Sequence, residues 1–440
     1  MFYSLKGRKP FSVFTIDYQI ADTFLAPFIY EDAPNTLLSP KMLLDVDKLE
    51  NERIRLARVL RNNGYFYFTK DYIRYNADTL DKDHEVDLYI QVLNHLSKDS
   101  LGNIVDSNHK KYRINNIYFY TDYDPDAALE NDGVYYERFD TLFYKGFYFV
   151  YKHKLKVKPE ILLMANNLVP DQMFSQKDLD ATYRFLNSLK IFRLINIQFS
   201  EVDARFGENK LDCHIMLTSF SKQSYSIDAE SNTSSGNIGI EGNLNYQNRN
   251  LTGGAEVLDV TLKGALRWQQ EAEDKTQDFK FNTIEYGVDA SLELPKFLLP
   301  FNAYRFYKKY NPKTVISSAY NHQQRPIFTR RLANASFGYF WDASAFSRHQ
   351  VTPIQFNTVK IFELSDQFKT QIQSSYLVNS FKDFFISEVG YTYTFRNQNI
   401  NKPTNYVFFR TNLSTGGNFL SFYNSAISKT SNSLDSVHTI

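Results

Sequence analysis

KQSYSIDAESNTSSGNIGIEGNLNYQNRNLTGGAEVLDVTLKGALRWQ fills residues 222–269, and the architecture follows from its alternation. Tyr225, Ile227 and Ala229 alternate with Ser226, Asp228 and Glu230. Ile238, Ile240, Leu244 and Tyr246 then face Glu241, Asn243, Asn245 and Gln247. A third run sets Leu258, Val260, Leu262, Leu266 and Trp268 against Asp259, Thr261, Lys263, Arg267 and Gln269. Further out, Ile284, Tyr286, Val288, Ala290, Leu292 and Leu294 oppose Glu285, Asp289, Ser291 and Glu293. Period two holds for roughly 9–13 residues per run, against about 5–6 in an ordinary strand. A tilted membrane-crossing strand needs about 9–11 residues, with one face toward lipid and the other toward a wet lumen. The pattern therefore favours a membrane barrel over a soluble antiparallel sheet whose charged face is merely solvated.

The 440 residues allow two to four domains, and a net charge of +1 provides no global field for nucleic acid or an acidic partner. The single Cys213 excludes a disulfide framework and a thiolate cluster. No apolar run reaches the roughly 18 residues that a helical membrane span requires. The 31 Tyr and 38 Phe suit half-buried strands and the aromatic girdles of a barrel. Residues 1–10 are basic but lead into no apolar stretch or cleavage site, so a barrel destined for export is expected to have a leader upstream.

Before the alternating region, residues 12–20 predict a strand and 39–63 a helix. Asp45 or Asp47 caps that helix, Leu49, Ile54, Leu56, Ala57 and Leu60 form its apolar stripe, and Gly64 stops it. Strands over 65–76 and 85–92 follow. The order then returns: a strand over 112–120, an aromatic hairpin over 141–153, helices over 159–167 and 175–190, and strands over 192–199 and 210–217. Ser175 is the expected cap of the last helix, with Asp178 at its third position. Two β-α-α-β-β units thus precede the long strands. Beyond residue 300, strands are expected at 313–321, 333–342, 354–361, 385–396 and 406–413, giving eight or nine in all. Pro312, Pro326, Pro353 and Pro403 are expected at starts or turns. The basic, aromatic loop 301–310 suits a membrane interface, and the Ser-rich tail 424–440 is expected to be disordered.

In this order of parts the sequence resembles the Omp85 superfamily, outer-membrane assembly factors of the BamA/TamA type in their Bacteroidetes-like form. LRNNGYFYFTKDYIRYNADT (60–79) with EVDLYIQV (85–92) resembles the second helix and closing hairpin of a POTRA module. DATYRFLNSLKIFRLINIQF (180–199) resembles the same piece of a last POTRA, residues 222–269 the first three barrel strands, and ELPKFLLPF (293–301) the end of the fourth. The resemblance implies α+β POTRA-like modules over 1–100 and 101–220 (the second with an insertion), then half of a sixteen-stranded antiparallel transmembrane barrel over 221–423 and the tail. The other strands and an Arg-Gly-aromatic loop are expected outside this chain, which reads as an internal piece of a longer protein. Such a piece alone is expected not to insert as a working barrel, because both sheet edges would be unpaired in lipid.

The implied activity is non-enzymatic: insertion of outer-membrane proteins, without nucleotide or other cofactor. The implied partners are unfolded outer-membrane clients, outer-membrane lipid and accessory periplasmic or lipoprotein subunits, with no nucleic acid. POTRA-like sheet edges at 65–75 and 191–199 would accept client strands by main-chain pairing, with Tyr65, Tyr67, Tyr72, Ile195 and Ile197 as candidates. The resemblance makes the first barrel strand a lateral seam: Ser224, Tyr225, Ser226, Ile227, Asp228 and Ala229. A two-partner-secretion pore or passive channel is the alternative on this architecture, and a soluble β-rich protein is the second. The eight histidines are scattered, and Cys213 and His214 point to opposite faces of one strand, so no metal or nucleophile site is expected. Gly236, Gly239 and Gly242 lie along a strand rather than before a helix, which excludes a phosphate loop. Glu285/Asp289 and Asp228/Glu230 are expected to line the lumen, since no sheltered pocket surrounds them.

Overall fold

The computed structural model describes residues 10–417, except 80–83, 99–102, 131–134, 136–138, 203–207, 235–236, 269–280, 299–305, 307–308, 367–368, 371–380 and 399–404. Gly236, the tail 424–440, Pro403 and most of the loop 301–310 lie outside the described residues. Contacts divide the chain into two units. One comprises residues 1–154, 166–186 and 194–218, and the other residues 155–165, 187–193 and 219–440.

The first unit begins with β1 (Ser12–Ile20), α1 (Ala26–Glu31), α2 (Val46–Asn62), β2 (Ile73–Thr79) and β3 (Glu85–Val92). β3 lies in the middle, parallel to β1 and antiparallel to β2. Its alternate residues Val86, Leu88, Ile90 and Val92 are buried, as period two requires of a half-covered central strand. They join Leu56, Ala57 and Leu60 of α2 in one core. Asp45 starts α2 by accepting from the Asp47 and Lys48 amides at 2.9 and 3.4 Å. Gly64 ends it at φ +95, a conformation that suits glycine after a helix.

A short hairpin, β4 (His95–Lys98) and β5 (Ile104–Ser107), was not anticipated. The second module then runs β6 (Arg113–Tyr120), α3 (Pro125–Glu130), β7 (Asp140–Tyr144), β8 (Phe147–Tyr151), α4 (Pro159–Ala165), α5 (Gln176–Ser188), β9 (Phe192–Val202) and β10 (Lys210–Ser219). Its sheet order is β7-β8-β6-β10-β9, so the aromatic hairpin adds two strands beside β6 and leaves β9 as the far edge.

In the second unit, β11 (Gln223–Ser234), β12 (Asn237–Arg249), β13 (Val257–Trp268), β14 (Thr283–Leu294), β15 (Lys313–Gln324), β16 (Thr329–Asp342), β17 (Ser347–Phe362), β18 (Phe384–Arg396) and β19 (Phe408–Gly416) form one nine-stranded sheet in sequence order. Every neighbouring pair is antiparallel. The polar face is tied across strands: Arg267 pairs with Glu285 at 2.7 Å and Glu241 at 3.3 Å, and Lys263 with Asp289 at 2.5 Å. On the apolar face Ile227, Leu262 and Tyr286 stand exposed. A contiguous apolar wall of this size, backed by a wet charged face, is what lipid covers in a membrane barrel. No described helix is long and apolar enough to cross a membrane.

Pro353 corrects one expectation. It lies inside β17 rather than at a turn, and the register slips between Thr352 and Gln355, so the ladder bond that proline cannot donate is not required there.

In this unit the β12–β13 turn is pinned to the segment before α4. The Lys158 amide donates to the Gly253 carbonyl at 2.8 Å, and Asn250 Nδ2 to the Lys156 carbonyl at 2.8 Å. The buried Glu256 carboxylate holds the turn by accepting from the Thr252 and Gly254 amides. Lys313 Nζ likewise bonds both the Ser188 carbonyl, at 2.8 Å, and Glu293.

Candidate functional site

Two edges are candidates for strand capture, and the residues around them determine what each can do. The first is β9. Ser175 Oγ accepts from the Asp178 amide at 3.3 Å and starts α5, which buries Ala181, Thr182 and Leu186 and leaves Lys177, Tyr183 and Arg184 on its outer face. Between α5 and β9 runs an open groove of about 800 Å³, with Leu179 and Tyr183 on the helix side and Ile195, Asn196 and Ile197 on the strand side. α2 closes one end with Arg58 and Asn62.

That end is fixed by a tight joint between the modules. Asn62 Oδ1 accepts from the Lys177 amide at 2.8 Å, and Arg61 Nε donates to Gln176 Oε1 at 2.8 Å. The Arg61 guanidinium lies 5.4 Å from the ring centres of both Phe66 and Phe174. An edge strand beside a helix is the arrangement that accepts an extended peptide by main-chain pairing, with the groove taking alternate side chains. Ile195 and Ile197 are therefore brought to the site.

Tyr65, Tyr67 and Tyr72 are not, because the strand expected over 65–76 begins only at Ile73. Tyr65 is 1% exposed; its hydroxyl donates to the Phe24 carbonyl at 3.1 Å, and burial, with Asp22 adding to it, pushes its phenol up to about 12. Tyr67 is half exposed and packs on Phe66 and Tyr112. The Tyr72 ring meets Phe68 and His109, and its hydroxyl bonds His95 Nδ1 at 2.9 Å. The missed signal is a spacing of three: the Phe68 amide donates to the Tyr65 carbonyl, so both rings enter the core from a turn.

The second edge is β11. On one side it pairs with β12 along its whole length, from Gln223 opposite Asn248 to Ser234 opposite Asn237. On the other it has no strand neighbour among the described residues. Ser224, Ser226 and Asp228 are held by polar side chains of β12: Arg249 donates to Ser224 at 3.3 Å, and Asn245 to Ser226 at 3.1 Å and Asp228 at 2.6 Å. Tyr225 and Ile227 stand bare, at 68% and 80% exposed, and Ala229 shares their face.

The remaining chemistry is structural. Cys213 is fully buried, and burial raises its thiol. Its neighbour His214 points away and bonds Tyr120 and Ser200. Among the described residues no three His, Cys, Asp or Glu side chains converge as metal ligands would. Glu285 and Asp289 are engaged by Arg267 and Lys263.

No family model and no curated protein matches the sequence. Among solved structures, the chain is similar to BamA from Haemophilus ducreyi lacking POTRA domains 1–3, at 10% identity and a TM-score of 0.43, covering 92% of this chain and 64% of that one. It is similar to CdiB from Acinetobacter baumannii at 10% identity and a TM-score of 0.29, covering 94% and 69%. POTRA1–3 of the periplasmic domain of Omp85 from Anabaena matches 49% of this chain and 98% of its own, at 10% identity and a TM-score of 0.14. The chain thus spans a little under two thirds of the BamA structure. Its own order of parts, two mixed-sheet modules followed by an antiparallel meander of long strands, is the order that the resemblance to the Omp85 superfamily implies.

Proposed function

We propose that this chain acts in outer-membrane protein assembly in the Omp85 manner, with its modules in the periplasm and its long-stranded sheet in the outer membrane. One observation carries the reading: the chain holds both a grooved edge strand, β9, and a long barrel-type strand, β11, that has a neighbour on one side only among the described residues. Client strands add to β9 first, each main-chain bond contributing about 0.5–1.5 kcal/mol net. They then pair with β11, whose bare backbone edge lipid does not tolerate unpaired. Burial of lipid-facing side chains drives the transfer, so neither enzyme chemistry nor nucleotide is needed. The clients are unfolded outer-membrane proteins, assisted by lipid and by accessory periplasmic subunits.

A translocation pore is the second reading, favoured by the charged ladder of Lys263, Arg267, Glu285 and Asp289 on the polar face. Photo-crosslinkers at Asn196 and Ser226 in producing cells separate the two. Assembly predicts adducts with several barrel proteins from both positions. Adducts with one secreted protein would favour the pore, and none from either position would contradict both.

A further inference from the structure

The groove beside β9 carries charge that strand addition alone does not require. Arg58, Lys177 and Arg184 line it, and the one acidic residue among its lining, Asp180, is engaged: its Oδ1 accepts from Gln176 Nε2 at 2.6 Å. The other arginines of α2 are occupied. Arg53 pairs with Glu50, Arg55 with Glu52 and Asp32, and Arg61 is bonded to Gln176. Arg58 is exposed and has no ion pair among the described residues. Among the described residues Arg184 is hydrogen-bonded through its Nε alone, to the Asp180 carbonyl at 3.3 Å, and the Lys177 side chain is exposed. The chain as a whole carries only +1, so these three cations are a local surplus.

We propose that this groove selects extended segments bearing acidic side chains among apolar ones, the carboxylates meeting Arg58, Lys177 and Arg184 while the apolar residues lie on Leu179, Ile195 and Ile197. The inference rests on the strand-capture reading of β9 and names its substrate class. Lys177 and Arg184 are seven residues apart on α5, about 10 Å along the axis at 1.5 Å per residue. An extended strand covers that in about three residues at roughly 3.3 Å each, so two acidic side chains on one strand face, at i and i+2 or i+4, reach both cations. A single chain-terminal carboxylate meets only one. Complementary charge at such a rim speeds encounter and makes binding salt-sensitive, while the strand edge holds the main chain.

The test uses the full chain in detergent and fluorescent, C-terminally amidated peptides of alternating Val and Thr. One peptide carries two Glu at i and i+4, a second carries Gln there, and a third is the Glu peptide with alternate amides N-methylated. The expected result is at least tenfold tighter binding of the Glu peptide than of the Gln peptide, and loss of binding on methylation. R58Q/R184Q, with an unchanged circular dichroism spectrum and melt, should bind the Glu peptide only as tightly as the Gln peptide. Equal binding of both peptides by the native protein, with methylation still abolishing it, would overturn acid selection and leave strand capture standing. A Gln peptide left with a free C-terminus serves as the control: if it bound as tightly as the amidated Glu peptide, the carboxylate would belong to the chain end and the proposal would be overturned. Binding that survives methylation, or no binding at all, would overturn strand capture and this inference with it.

Discussion

Asp22 and His109 make up a buried polar pair far apart in sequence. Asp22 Oδ2 accepts from the His109 amide at 2.6 Å and faces its Nδ1 at 3.2 Å, while Oδ1 accepts from the Phe24 amide at 3.0 Å. Asp22→Ala would orphan these donors, and we expect a loss of about 1–3 kcal/mol, read by urea denaturation. Burial holds His109 below its ordinary value, opposed by Asp22 and reinforced by His95, and His214 is lowered in the same way by burial. The unfolded chain therefore binds protons first as the pH falls through about 6.5, and stability drops below that pH. A denaturation series from pH 7.5 to 5 should show the decline, and His109→Gln should flatten part of it. At this scale the sequence was least legible. Tyr65, Tyr67 and Tyr72 sit in an aromatic run that looks extended on paper. Their places were settled by the Gly64 stop and by a turn that sends Tyr65 and Phe68 into the core, which alternation cannot reveal.

Elements were more legible, because two periodicities carry them. Leu56, Ala57 and Leu60 repeat as a helix face and Val86, Leu88, Ile90 and Val92 as a strand face. The strand was read to its ends, whereas the helix expected from residue 39 begins only at Val46, after the Asp45 cap, and Ile54 of its expected stripe is exposed. The hairpin of β4 and β5, at four residues per strand, is too short to show a period. Pro353 was misplaced because a bulge leaves no composition signature. Glu52 tests how α2 is held. It is buried, binds Arg55, and accepts from the Leu37 amide at 3.0 Å. Glu52→Ala should cost roughly 3 kcal/mol, near the low end for a broken buried pair because Asp32 still faces Arg55. Asp45→Ala removes a cap with less at stake and should cost about 1 kcal/mol. Thermal melts of the two variants, compared side by side, would check both the magnitudes and their order.

For the whole molecule, the order of modules and long strands was legible because each strand must bury one face and wet the other. The groove beside β9 was legible only in part: Ile195 and Ile197 were singled out, but Arg58 could not be, since it arrives from a helix more than a hundred residues earlier. The central claim is that the nine-stranded sheet presents its apolar face to lipid. It is tested most directly by a cysteine scan of β14 over residues 284–292 in membranes of producing cells, with a spin label at each site. Cys213 contributes little background, since burial both hides and raises its thiol. We predict period two: labels at 284, 286, 288, 290 and 292 accessible to oxygen dissolved in lipid, and those at 285, 287, 289 and 291 to an aqueous nickel chelate. Aqueous access at every position would contradict the account and make the sheet a soluble one.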